Sequence, residues 1–145
     1  MVRSHLIIAG SNFIFSHINE NYSNYINLNK KFLVIFRGIN TEYFNPNKIV
    51  ESDEKKLLSQ WNIVKDKPLI LLPGRLTSWK GQEMFIEALS LVNQELKQEV
   101  FNAVILGDAQ GRDVYKKKLL RLVEQYRLNK QVKFVDHCTH MPLAY

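Results

Sequence analysis

The apolar run Leu69-Ile-Leu-Leu72, which ends at Pro73-Gly74, constrains the fold of this chain more than any other segment. Four consecutive apolar residues followed by a proline and a glycine are typical of a short strand that is buried on both faces. A helical pattern follows over residues 81–96, with an apolar stripe predicted at Phe85, Ala88, Leu89, Val92 and Leu96. The segment therefore predicts a strand, a loop and a helix in succession.

The same alternation runs along the rest of the chain. Further short strands are predicted at residues 6–9, 32–36, 102–106 and 132–135. Helices are predicted at 11–22, with Phe13, Ile14, His17 and Ile18 facing inward, after a cap at Ser52, and in a basic stretch near 112–130. The segment 19–29 is rich in turn formers and predicts a loop. Short strands alternating with helices indicate an α/β fold with a parallel sheet and right-handed crossovers.

Two cations lie in the loop that follows the 69–72 strand. Arg75 can grip phosphate oxygens with two directed hydrogen bonds, and Lys80 adds a point charge. The next helix directs its unpaired N–H groups and the positive end of its dipole toward the same loop, so a phosphate is a suitable ligand. The alternatives are a salt bridge from Arg75 to Asp108 and an ordinary surface role for Lys80.

Four ordered segments resemble one enzyme family. Gly74-Arg-Leu76 followed by Trp79-Lys-Gly-Gln82 resembles the donor-phosphate loop of the group 1, or family four, retaining GT-B glycosyltransferases. The other segments, in the order that the family has them, are 34–40 with 44–46, 104–108, and 132–135 with 141–142. Each segment alone is weak, but the ordered set is specific.

The resemblance implies a Rossmann-like parallel sheet with flanking helices that forms part of a GT-B fold. It implies that residues 1–30 are a remnant of the N-terminal acceptor domain and that 31–145 are the front half of the C-terminal donor domain. The family's acidic segment would follow Tyr145. We therefore expect a partial chain that contains no catalytic residue and shows no measurable transfer by itself.

The implied reaction is transfer of a hexose from a nucleotide sugar to a lipid-linked or polysaccharide acceptor, as in cell-envelope glycan or lipopolysaccharide synthesis. No metal and no cofactor are expected. Two alternatives stay open, a non-catalytic nucleotide- or phosphate-binding module and an interaction fragment that completes a glycosyltransferase with a second chain.

The resemblance also assigns the site residues. Gly74, Arg75 and Lys80 would bind the donor phosphates, and His137 and Cys138 would lie beside the nucleotide base. Gly107 and Asp108 are possible loop contacts, although that loop could instead cap the next helix. The family usually has glycine where Asp136 stands in this chain.

Two other residue groups favour structural interpretations. Trp79 could shield the phosphate loop, but we expect it to staple the following helix to its neighbour. The close spacing of His137, Cys138 and His140, with no second group of ligands, argues against a zinc site.

Composition limits the remaining classes. A hydrophobic fraction of 46% excludes a disordered tail, and the single cysteine excludes an internal disulfide and favours the cytoplasm. The net charge of +6 is concentrated in the basic helix, whose outer face we interpret first as a solvated surface. A peripheral contact with an anionic membrane is the better functional alternative, since the aromatic and basic interleaving of a nucleic-acid site is missing.

Overall fold

A computed structural model describes residues 5–23 and 31–145 of the chain. These residues form two compact units, Met1–Phe44 and Asn45–Tyr145. The first unit contains β1 (Leu6–Ala9), α1 (Asn12–Tyr22) and β2 (Lys31–Val34). The second contains α2 (Glu51–Gln60), β3 (Leu69–Pro73), α3 (Gln82–Leu96), β4 (Asn102–Leu106), α4 (Asp113–Gln125), β5 (Val132–Val135) and α5 (Met141–Ala144), with 3-10 turns at Pro46–Lys48 and Ser78–Lys80.

The unit boundary lies later in the chain than the domain boundary predicted after residue 30. Strand β2 pairs in parallel with β1, so it lies in the first unit. The assignment of the two parts to an acceptor and a donor domain stays a prediction.

Helix α1 begins where the sequence predicts, because the Ser11 hydroxyl accepts a hydrogen bond from the Ile14 amide at 3.2 Å. Of the inward face predicted for it, Ile18 is half-buried as expected, but Phe13 is 76% exposed, and Ile14 and His17 are exposed as well. Phe15 is half-buried instead, and its ring centroid lies 4.6 Å from that of Phe32 on β2. Contact with the strand pair therefore selects a different face of the helix.

The helix ends at Tyr22, as predicted, so residues 19–22 of the loop predicted at 19–29 are helical instead. Asn21 lies in its last turn and donates from its side-chain amide to the His17 carbonyl at 2.8 Å. This bond within the helix keeps turn-forming residues helical as far as Tyr22. Residues 24–30 of the predicted loop lie outside the described residues.

The second unit confirms the parallel sheet. Its strand order is β3-β4-β5, and both pairs are parallel. On the central strand Val104 and Ile105 are completely buried, whereas Leu69 and Ile70 on β3 are 36% and 37% exposed. The expectation that the 69–72 strand is buried on both faces is therefore wrong in its first half, because within the described part of the chain β3 is an edge strand.

Two hydrophobic clusters lie against alternate residues of β4. Ile105 packs with residues of α3 and α4, whereas Val104 and Leu106 pack with Trp61 and Ala144. Because successive side chains of a strand point to opposite faces, the clusters lie on the two faces of the sheet. The unit is a three-layer α/β arrangement, as the sequence predicts.

The buried face of α3 is rotated from the predicted stripe. Leu89 is buried and Phe85 half-buried as expected, but Ala88, Val92 and Leu96 are exposed. The remaining buried positions are Gln82, Ile86 and Ser90. Packing against α4 and β4 therefore uses a face that includes two polar residues, which an apolar stripe cannot indicate.

The start of α2 also differs from the prediction. Ser52 lies inside the first turn, and the N-cap is Val50, which makes no side-chain hydrogen bond. The acidic residues Glu51, Asp53 and Glu54 occupy that turn and interact favourably with the helix dipole. Charge rather than a hydroxyl cap stabilises this helix start.

The loops after β3 and β4 touch through their backbones. The Gly74 amide donates to the Leu106 carbonyl, and the Gly107 amide donates to the Val135 carbonyl, each at 2.8 Å. A Cβ atom at Gly107 would lie 2.1 Å from the Gly74 carbonyl oxygen. Only glycine at position 107 allows this approach.

We expect Gly107→Ala to lower the free energy of unfolding by about 3 kcal/mol or more, since backbone atoms must move to relieve the clash. Gly111→Ala is the matched control, because Gly111 has a φ of +78° but nothing within 4 Å of its Cβ position. It should cost only about 1–2 kcal/mol of backbone strain. Urea unfolding followed by tryptophan fluorescence measures both, and equal losses would contradict the steric argument.

Candidate functional site

The loop that joins β3 to α3, residues 74–81, is held firmly at the carboxyl edge of the sheet. The Leu76 amide donates to the Asp108 carbonyl at 3.1 Å, and the Leu76 side chain is 1% exposed in the core. Together with the bond from Gly74 to Leu106 at the end of β4, these contacts hold the loop against β4 and the loop that follows it. Ligands of parallel α/β sheets bind at this edge.

Gln82 fixes the same loop from the helix side. Its side chain is completely buried, and its amide nitrogen donates to the Arg75 carbonyl at 2.9 Å. Gln82 belongs to the loop motif, but its buried bond to the Arg75 carbonyl was not predicted. Its burial could have been predicted from its spacing with Ile86 and Leu89, because this spacing places the Gln82 side chain on the buried face of α3.

Lys80 lies across Gly74. A Cβ atom at Gly74 would lie 3.8 Å from the Lys80 Cδ atom, so the lysine stem covers the glycine. The Lys80 ammonium is 4.4 Å from the centroid of the Trp79 ring, within the range of a cation–π contact. The structure therefore places Lys80 next to Gly74, while their binding of donor phosphates stays a prediction.

Arg75 and Lys80 form no salt bridge with any carboxylate of the described residues. The alternative of a salt bridge from Arg75 to Asp108 is wrong. The Asp108 carboxylate instead accepts from the Gln110 amide at 2.8 Å, which stabilises its own turn. Both cations are thus free of carboxylates and available to an anion.

The start of α3 adds a third source of positive potential. Gly81 precedes it with a left-handed φ of 77°, and no side chain caps the first turn. Its N–H groups and the helix dipole favour an anion. Glu83 lies in that turn, but its carboxylate is paired with Lys118 at 2.6 Å, which reduces its opposing charge.

Trp79 does not act as the predicted staple. It lies in the 3-10 turn Ser78–Lys80 and is 67% exposed. The turn presents the ring to solvent and to the Lys80 ammonium instead of to a neighbouring helix. An exposed tryptophan beside a loop is a surface on which a ligand can pack.

A cleft of about 720 Å³ opens next to Trp79, and we call it the Trp79 cleft. Its walls are Arg75, Thr77, Ser78 and Trp79 on one side and residues 111–115 with Lys118 on the other. Tyr115 forms part of the second wall, and burial, then the nearby Glu83 carboxylate, raises the pKa of its hydroxyl. The cleft has the size of small-molecule sites, about 300–1,000 Å³.

His137 and Cys138 lie elsewhere at the edge of the sheet. They line a separate cavity of about 300 Å³ together with Trp61 and residues of α2. The neighbouring Asp136 carboxylate pairs with Lys116 at 2.6 Å. In the described part of the chain, no group of three or more His, Cys, Asp and Glu residues is arranged to hold a metal ion.

No helix within residues 5–23 and 31–145 has both the length and the apolar composition that a bilayer crossing requires.

Comparison with known proteins decides the family. Residues 53–144 match the family model described as glycosyl transferases group 1. The chain belongs to the group 1 glycosyltransferases. No curated protein matches the sequence significantly.

Solved glycosyltransferase structures share the fold. A glycosyltransferase from Rickettsia africae ESF-5 is 30% identical with a TM-score of 0.84, over 95% of this chain and 35% of that protein. Anabaena HepE in complex with UDP and glucose is 25% identical with a TM-score of 0.76, over 97% of this chain and 35% of that protein. The structure of HepE in complex with UDP-glucose matches this chain with the same identity and TM-score. The chain thus spans about a third of the length of these glycosyltransferases and has a partial GT-B fold.

Because Gln82 is the buried clamp on the Arg75 carbonyl, we expect Gln82→Leu to lower the free energy of unfolding by about 1–3 kcal/mol. It should also speed amide hydrogen exchange at Leu76. Gln94→Leu is the matched control on the same helix, since Gln94 is exposed and bonds only to Ser90 at 3.2 Å. If both variants behaved alike in urea unfolding and exchange, Gln82 would have no special role in the loop.

Proposed function

We propose that this chain contributes the donor-binding part of a hexosyltransferase and binds the diphosphate of a nucleotide sugar on the 74–81 loop. The observation that carries the proposal is that one short loop holds two cations without carboxylate partners among the described residues, Arg75 and Lys80, and leads into the uncapped start of α3. A diphosphate needs this combination of directed donors, charge and backbone amides.

The two cations have different parts in this site. Arg75 offers a planar fork that can bind two phosphate oxygens, and the Gln82 bond to its carbonyl fixes its backbone. Lys80 offers a less directional charge that the amides of α3 can partly replace. Both would stabilise the negative charge that develops on the diphosphate when its bond to the sugar breaks.

The chemical class of the ligand is supported by structural neighbours. Anabaena HepE is known in complex with UDP and with UDP-glucose. It shares its fold with 97% of the residues of this chain. We infer that a nucleoside diphosphate sugar is the donor here. In this proposal His137 and Cys138, in their own cavity beside α2, lie near the nucleotide base.

The acceptor and the cellular site are inferred from the family resemblance together with the charge of the surface. A lipid-linked or polysaccharide acceptor, as in cell-envelope glycan or lipopolysaccharide synthesis, fits a cytoplasmic enzyme that meets an anionic membrane through the exposed basic face of α4. Lys117 and Arg121 are exposed on this helix, while Lys116 and Lys118 are paired with carboxylates. Since residues 1–145 span about a third of their structural neighbours, we expect these residues alone to bind the donor without transferring it.

The test is titration of the chain with UDP by calorimetry and by NMR. A charge-assisted hydrogen bond contributes about 1.5–3 kcal/mol, so Arg75→Ala should weaken UDP binding about tenfold or more. Lys80→Ala should weaken it less, by about threefold to fivefold, since part of its contribution is replaced. Binding should also weaken as salt rises.

Lys130→Ala is the matched control, because Lys130 is an exposed lysine outside the 74–81 loop. It should leave the dissociation constant for UDP unchanged. Uridine, which lacks the diphosphate, should bind far more weakly than UDP. Equal affinity of the Arg75→Ala, Lys80→Ala double variant and the parent chain would refute the proposal.

A further inference from the structure

The Trp79 cleft contains features that diphosphate binding on the 74–81 loop does not use. Lys80 is not among its lining residues, whereas Arg112 and the first residues of α4 are. Most of its wall is apolar, with Trp79 67% and Val114 85% exposed. An exposed aromatic ring and an exposed valine in one cleft offer apolar surface to a flat apolar group.

A buried hydroxyl in the wall lacks a hydrogen-bond partner. Thr77 is 7% exposed, and its Oγ1 is the only buried side-chain polar atom without a partner among the described residues. A buried polar group without a hydrogen bond is costly and requires an explanation. Because Thr77 lines the cleft, an oxygen of a bound ligand can become the partner of this hydroxyl once the side chain turns toward it.

The charges in the cleft favour an anion. Arg112 donates only to uncharged oxygens, the Ala109 carbonyl and the Gln110 side chain, each at 3.4 Å. Arg75 has no carboxylate partner, and Lys118 also lines the wall although it is paired with Glu83. Asp113 is the one acidic residue in the lining, so the cations outnumber it three to one.

The start of α4 reinforces this charge. Helix α4 has no side-chain cap at Arg112, and its first residues lie in the wall of the cleft. Its N–H groups and dipole therefore favour a phosphate in the same place as the two guanidinium groups.

We propose that the Trp79 cleft is a second ligand site, which binds a planar ring carrying a phosphate. The phosphate lies between Arg75 and Arg112 and accepts a hydrogen bond from the Thr77 hydroxyl, and the ring packs between Trp79 and Val114. The cleft is not lined by Lys80, but it shares Arg75 with the donor-binding proposal.

The probe is phenyl phosphate, titrated into the full chain without UDP and followed by NMR. We expect shifts at the Val114 and Tyr115 amides and at the Trp79 indole, with little change at the Met84 amide in the first turn of α3. Inorganic phosphate should bind more weakly, because it lacks the ring. Phenyl phosphate that bound no better than inorganic phosphate, or not at all, would overturn the proposal.

Two variants test the residues, each with a control. Arg112→Gln should weaken phenyl phosphate about tenfold, while Arg121→Gln, an exposed change further along α4, should not. Thr77→Val should weaken it about fivefold to tenfold without loss of stability, since it removes a hydroxyl that has no partner. Thr139→Val, at an exposed threonine, should change neither property.

Lys80→Ala distinguishes this site from the donor site. Because Lys80 also contacts the Trp79 ring, this variant should weaken phenyl phosphate binding less than Arg112→Gln does, whatever its effect on UDP. Loss of phenyl phosphate binding in Lys80→Ala, with retention in Arg112→Gln and Thr77→Val, would place the probe on the donor loop and refute a second site. If UDP failed to bind while phenyl phosphate behaved as described, the donor proposal alone would fail.

Discussion

The backbone contact between Gly74 and Gly107 is the constraint on which both candidate sites depend. It brings the loop after β3 against the loop after β4 with no side chain between them. The hydrogen bonds from Gly74 to Leu106 and from Leu76 to Asp108 then fix the relative position of the two loops. Arg75, on the first loop, and Arg112, beyond the second, line one cleft because of this contact.

The central strand supports this edge from within. Val104 and Ile105 are buried on opposite faces, so neither face of β4 can move without disturbing a hydrophobic cluster. Close-packed interiors resist such movement. The loops that follow the strand are attached to this rigid element, so their first residues are also held in place. A rigid edge suits ligand binding, since the cations need little reorganisation when an anion arrives.

Much of the second unit could be predicted from the sequence. The strands at 69–72, 102–106 and 132–135 stand out because short apolar runs between helical patterns have few other interpretations. The loop motif assigned Lys80 and Gly74 to the same predicted phosphate loop. The incorrect predictions have a common cause. Tertiary contacts set the exposed face of α1, the rotated face of α3 and the outward orientation of Trp79. Local periodicity does not indicate which neighbour a helix contacts. Gln82 lies in the quoted loop motif, but the motif did not predict its bond to the Arg75 carbonyl, and no motif indicated the unpartnered hydroxyl of Thr77.

The position of Lys80 has an entropic consequence. A free lysine side chain samples many rotamers, and ordering it on binding costs about 0.5–1.5 kcal/mol. Here the stem already lies over Gly74 and the ammonium over the Trp79 ring. Part of that cost is therefore met when the chain folds. Glycine at position 74 and tryptophan at position 79 thus contribute before any ligand arrives, because they limit the conformations of the Lys80 side chain between them.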